Sequence, residues 1–178
     1  MKPMFTVHVG EFLVGDFIRK KFGRKYETWL PTRDEGVDLL VTRRKGKCRP
    51  VKLQVKFSRG FNPSSVPPEE LLGWGWYTLN PAKIRSSPAD LWVFVTLTDQ
   101  HKAHYIVIPT RELRRRIPKG TGKTWHIYMA ALKGGFCLNT RSLTMEQKKV
   151  AYITRKIKRS LDFSEYFENW KLLDKASR

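Results

Sequence analysis

The chain has 178 residues, 40% of them hydrophobic, which is enough to bury one sizeable core, and it carries 35 Lys plus Arg against 16 Asp plus Glu. That formal charge of +19 is spread along the whole chain and points to a polyanion partner, nucleic acid before an anionic membrane, since no lipidation signal or amphipathic anchor stands out. No run approaches the roughly 18 apolar residues of a membrane span, and Cys48 and Cys137 stand alone with no CxxC, which argues against structural zinc.

The start, MKPMFTVHVGEFLVGDF, meets Glu11 and Asp16 too soon for a secretory signal, so the expected location is cytoplasmic or another intracellular compartment. Val9, Phe12, Leu13, Phe17 and Ile18 recur at spacings of three and four and predict a helix over 7–22, closed by Arg19, Lys20, Lys21 and Gly23. Glu11 rides on that helix, and His8 reads as a helix-start residue. Residues 25–30 and 36–43 read as strands joined by the turn RDEG, and 51–58 as a third strand after the loop RKGKCRP. An antiparallel pairing centred near Lys47 sets Asp38 opposite or close to Lys56, with Gln54 one pair further in. Alternation along the third strand puts Lys52, Gln54 and Lys56 on one face and Val51, Leu53, Val55 and Phe57 on the other.

Residues 59–90 are rich in Gly, Pro and Ser and read as a loop excursion with a short helical piece near Glu69 to Leu72. LWVFVTL (91–97) suits a buried strand, HYIVIP (104–109) a further one, and Glu112 to Ile117 a short basic helix. A second long loop is expected over 118–140. Its GTGKT (120–124) is not a nucleotide-binding loop, because Ile117 stands where the first glycine is required. Val150, Ile153, Ile157 and Leu161 form the apolar stripe of a helix within 144–160, and a last helix is expected over 164–173. With no internal repeat and no long hydrophilic linker, residues 1–178 read as one domain.

An aspartate flanked by Val37, Leu39, Leu40 and Val41 is costly to ionise unless a cation or donor lies near. Oxygen donors at Glu11, Asp38 and Gln54, with Lys56 beside them on apolar segments, are the parts that hold a hard divalent cation against a phosphodiester. The structural alternative is an Asp38–Lys56 cross-strand ion pair with Gln54 as a solvated edge residue. Asp34 and Glu35 are reserve ligands or plain loop residues, and Trp74 and Trp76 either stack on a base or pack in the core.

The ordered set resembles the PD-(D/E)XK nuclease superfamily: a helical Glu, then GVD entering a strand, then QVK in the next strand after a hairpin, all within residues 11–58. The resemblance implies an α/β protein with a restriction-endonuclease-like αβββαβ core, a mixed central sheet flanked by helices, and added C-terminal helices. It implies Asp38 as the metal-bridging carboxylate, Gln54 in the place where most members carry Glu or Asp, and Lys56 as the motif lysine. Glu11 becomes the helical acidic residue found in a subset of members, and Val55 offers its backbone carbonyl to the metal. The glutamine is a departure that removes one negative charge and weakens metal binding, although some active members carry it. The implied activity is Mg²⁺-dependent hydrolysis of DNA, with Mn²⁺ able to substitute, of the homing or restriction type. Holliday-junction cleavage, a catalytically silent nucleic-acid-binding module and a nuclease acting on RNA or single strands are the alternatives. Cutting both strands of double-stranded DNA implies a homodimer or homotetramer. Ser58, Arg59, Asn62, Trp74 and Trp76 are the residues expected against DNA, ahead of the basic loop Arg43, Arg44, Lys45 and Lys47 at the far end of the same strands.

Overall fold

A computed structural model describes residues 8–33, 35–58, 70–98 and 102–178 of the protein. Helix α1 (Val9–Phe22) precedes three antiparallel strands, β1 (Tyr26–Trp29), β2 (Leu39–Arg43) and β3 (Val51–Phe57). Strand β4 (Leu71–Leu79) and helix α2 (Pro81–Arg85) then lead to β5 (Leu91–Leu97), which lies parallel to β3. A parallel pair needs a crossover, and β4 with α2 supply it. Strand β6 (Ala103–Pro109) returns antiparallel on β5. It is followed by α3 (Thr110–Arg116), β7 (Trp125–Leu132), β8 (Cys137–Asn139), α4 (Met145–Thr154) and α5 (Lys171–Ala176). Among the described residues, eight strands join one mixed, mostly antiparallel sheet in the order β1-β2-β3-β5-β4-β7-β8, with β6 also paired to β5. The protein is therefore α/β, a mixed sheet flanked by helices.

The continuous apolar run of β5 follows from its central place, since both of its faces are covered. Trp92 and Phe94 pack with Tyr77, Ile127 and Met129 on one side, while Leu91, Val93 and Val95 pack with Val14, Ile18 and Leu53 on the other. Phe94 is fully buried, a burial that contributes about 1.5–3 kcal/mol.

Several expected elements are corrected. Residues 71–79, expected as mostly loop, are a nine-residue strand with Gly73, Gly75, Tyr77 and Leu79 turned to the core. Of the helical piece expected near Glu69 to Leu72, Glu69 lies outside the described residues, Glu70 is in a 3₁₀ turn, and Leu71 and Leu72 begin the strand. The two glycines are there because neighbours come close: a Cβ on Gly73 would stand 2.9 Å from Thr96 Oγ1, and one on Gly75 would strike the Tyr77 ring. The supposed loop at 118–140 holds β7 and β8, and β7 pairs with β4 from Leu79–Trp125 to Leu71–Leu132. Helix α4 stops at Thr154, where Arg155 takes a left-handed conformation with φ 55°, so Ile157 and Leu161 lie beyond it. Its buried residues are Ala151 and Tyr152, set against Ala130, Leu132 and Leu138, while Val150 and Ile153 are exposed. Helix α1 is likewise rotated from its largest apolar stripe: Gly10, Glu11, Val14 and Ile18 are buried, Val9 and Phe12 exposed. The last expected helix is split into a 3₁₀ turn (Ser164–Tyr166) and α5, because Glu168 between them takes φ 52°.

Helix α5 is fastened to β1 and β2 through Asp174. Its carboxylate accepts from the Tyr26 hydroxyl and from Arg43 Nη2 at 2.9 Å, and meets Lys25 Nζ at 2.5 Å. These donors, Lys25 foremost, hold the carboxyl well below the usual carboxylate range. A depressed folded-state value contributes stability that is complete above the unfolded carboxylate value of 3.8 and is lost as pH falls below it. Asp174→Asn is therefore expected to cost about 1 kcal/mol near neutral pH, a figure already discounted for solvent screening of this part-exposed group. Urea midpoints of the two proteins should draw together in acid, and an equal deficit at both pH values would refute this assignment.

Candidate active site

Glu11 owes its position to the way α1 begins. It lies in the first helical turn, where its carboxylate accepts the His8 backbone N–H at 3.3 Å. Gly10 lets that turn close on β3: a Cβ there would stand only 2.6 Å from Phe57 Cβ. The glutamate is thereby brought to the third strand and is 8% exposed.

The β2–β3 hairpin is registered one residue away from the expected centre. Leu39 pairs with Leu53, Leu40 with Lys52 and Val41 with Val51, which centres the turn on Gly46 instead of Lys47. Gly46 has φ 86°, the left-handed conformation that a glycine takes without steric cost, and it sets the apex. Asp38 thus faces Gln54, with Lys56 beyond it, in place of the expected Asp38–Lys56 opposition. The Asp38 N–H donates to the Leu53 carbonyl at 2.8 Å, and its Oδ2 accepts from Val55 N–H at 2.7 Å and from Gln54 Nε2.

Gln54 is no solvated edge residue. Strand β3 lies between β2 and β5, and both Gln54 and Asp38 are 7% exposed. With its amide nitrogen turned to Asp38, the glutamine has Oε1 as its remaining polar atom. The backbone of Val55 faces the β2 side of the strand, as the N–H bond to Asp38 requires, so its carbonyl also points past the start of β2. Lys56 Nζ stands 5.6 Å from the ring centroid of Trp92, the residue paired with Gln54 across the parallel ladder.

Glu11, Asp38, Gln54, Val55 and Lys56 all line one open cleft of about 880 Å³. Glu35 lines it too, as do Lys83 and Trp92, which the reading of the chain did not single out. The signal for Lys83 was present in Asn80-Pro81, a helix start: Asn80 Oδ1 caps α2 by accepting from Ala82 N–H at 2.9 Å and Lys83 N–H at 3.2 Å.

The residues expected against DNA are divided. Ser58 is buried and its Oγ accepts the Trp76 N–H at 2.8 Å, joining the end of β3 to β4. Trp74 is buried in the sheet, whereas Trp76 is 48% exposed. Arg59 and Asn62, and the reserve ligand Asp34, lie outside the described residues. In the far loop region, Arg43 is committed to Asp174 and Arg44 to Glu27 at 2.8 Å.

The oxygen-bearing residues that line the cleft, the carboxylates of Glu11, Glu35 and Asp38 and the amide of Gln54, are of the type that suits a hard divalent cation. Among the described residues no group of three or more His, Cys, Asp and Glu is placed to hold a metal. Comparison with protein-family models, with curated proteins and with solved structures finds no match to this chain.

Proposed function

We propose that the protein is a Mg²⁺-dependent DNA endonuclease built on the PD-(D/E)XK plan. The observation that carries this reading is the convergence of Glu11, Asp38, Gln54 and Lys56 on one cleft of a chain with formal charge +19. The order of elements lends support, since α1, the antiparallel β1–β2–β3, α2 and the parallel β5 follow the αβββαβ order once β4, an additional strand within the crossover, is set aside.

Asp38, Gln54 through Oε1, the Val55 carbonyl and Glu11 would hold the cation, Mn²⁺ serving in place of Mg²⁺. The bound ion supplies Lewis-acid polarisation of the phosphate and a more acidic water. The chain's own contribution is positional and electrostatic. Val55 N–H and Gln54 Nε2 fix Asp38 Oδ2, which leaves Oδ1 for a ligand role. Lys56, braced over Trp92, offers a cation to the charge that develops on the phosphate oxygens. Both carboxylates are buried in a basic protein, so they would bind DNA poorly alone and act best once a cation neutralises them. Homing or restriction-type cutting of both strands calls for two such clefts, hence a homodimer or homotetramer.

Nicking of supercoiled plasmid tests the reading, with Mg²⁺, Mn²⁺ and EDTA arms. Metal-dependent nicking is expected, and cutting that persists in EDTA would overturn it. One observation favours a second reading, a silent binding module: Gln54 replaces a carboxylate and spends its amide N–H on Asp38. DNA binding without nicking under either metal would select it.

Gln54→Glu separates the two further. It sets a carboxylate against Asp38, and two carboxylates sharing a site repel unless a cation joins them. The variant is expected to lose about 1–2 kcal/mol in EDTA and to regain it with Mg²⁺, by a larger melting shift than the native chain shows. Equal shifts in the two proteins would mean that position 54 lies outside any metal site.

A further inference from the structure

The outer face of the β4–β7 ladder carries Trp76 and Thr78 from one strand and His126 and Tyr128 from the other, paired Trp76–Tyr128 and Thr78–His126. Helix α4 packs on the next part of this face, over Ala130 and Leu132. Trp76 is 48% exposed, and His126 and Tyr128 are half-buried. The rings form a connected group: Trp76 meets Tyr128 edge-on at 5.8 Å and lies 6.1 Å from the His126 ring. The Trp76 indole N–H donates to His126 Nδ1 at 3.4 Å, and Thr78 Oγ1 is 3.2 Å from the same nitrogen.

The rung formed by Thr78 and His126 borders a different cavity on each side. Thr78 lines the cleft that holds Asp38 and Lys56. His126 lines a second cavity of about 390 Å³, together with Arg115, Arg116 and Arg141. Arg141 also stands over the Tyr128 ring, 5.1 Å from its centroid. Trp76 and Tyr128 form the adjacent rung, about 7 Å along the strands, so an aromatic pair lies beside the rung that separates the candidate catalytic cleft from an arginine-lined pocket.

We propose that this face is a track for unpaired nucleotides, whose bases stack on Trp76 and Tyr128 while phosphates reach the arginines of the second cavity. The inference rests on the reading of the cleft as a nucleic-acid site and adds a binding face for an unpaired segment of the nucleic acid beside it. Aromatic platforms flanked by cations bind single strands because every base has a π face to offer, and a duplex hides those faces within its stack. The net charge of +19 and the arginines favour a polyanion on this face over an apolar peptide.

The test is fluorescence anisotropy in EDTA, so that binding is read without cleavage, with a labelled oligothymidine and a labelled hairpin duplex. Trp76→Ala and Tyr128→Ala are each expected to weaken single-strand binding by about tenfold and to leave duplex binding within about twofold. Trp76→Phe should restore it. Circular-dichroism melting, together with that rescue, separates lost stacking from lost folding. Unchanged single-strand affinity in both alanine variants, or equal losses on single strand and duplex, overturns the track. If the native protein nicks plasmid yet these variants bind oligothymidine as it does, only the track fails. Should the native protein bind neither probe, the nuclease reading falls with it.

Discussion

Asp38→Asn is expected to lower plasmid nicking by about a thousandfold or more while leaving DNA affinity within about twofold of the native chain. The reasoning begins with the hairpin. Asp38 is buried opposite Gln54, and its Oδ2 is already engaged by Val55 N–H and the Gln54 amide. The substitution keeps the shape and an acceptor for Val55 but removes the charge that makes this residue a cation ligand. Lys56→Ala should act in the same direction from the other side of the reaction. It withdraws the ammonium held over Trp92, a group assigned to the charge of the transition state and not to ground-state binding. Nicking rates measured alongside filter binding separate the two effects, and melting curves show whether the buried amide costs stability. Native-like cutting by either variant would sink the site, whereas parallel loss of binding and cutting would make these residues DNA contacts.

Gly10→Ala is the second substitution with a large expected effect, because it joins the packing to the chemistry. An added methyl would sit 2.6 Å from Phe57 Cβ and 3.3 Å from Val55 Cγ1, closer to the first than any real contact. Either α1 lifts from β3 or Phe57 is displaced, an overpacking that costs about 1–3 kcal/mol. Glu11 is the next residue, so its carboxylate moves with the helix. A misplacement of about 1 Å at a reacting group is worth roughly a hundredfold in rate. Gly15→Ala on the same helix is the internal control. Its methyl would meet only Thr28 Oγ1 at 3.8 Å, and alanine in a helix interior is better than glycine by about 0.5–1 kcal/mol. Denaturant midpoints and nicking rates of the two variants should therefore diverge in sign. Matching behaviour would show that α1 does not depend on close contact with β3.

Much of the site was legible because it is local in the chain. Asp38, Gln54 and Lys56 lie on one hairpin, and period-two alternation alone puts Gln54 and Lys56 on a common face. The burial of β5 could likewise be read from seven consecutive apolar or β-forming residues. One local feature was missed: the left-handed turn at Gly46 shifts the hairpin register by one residue and sets Gln54, with Lys56 beyond it, opposite Asp38. The tertiary structure decided what depends on neighbours distant in sequence. Gly73 and Gly75 read locally as loop signals, yet in the sheet they are the residues that let Thr96 and the Tyr77 ring approach. The buried faces of α1 and α4 followed the sheet that each covers and not the largest apolar stripe, which is why Phe12 and Ile153 are outside and Glu11 is inside. Local patterns report what a segment can bury, and only the packed neighbours, by their shape and position, select which of those faces is used.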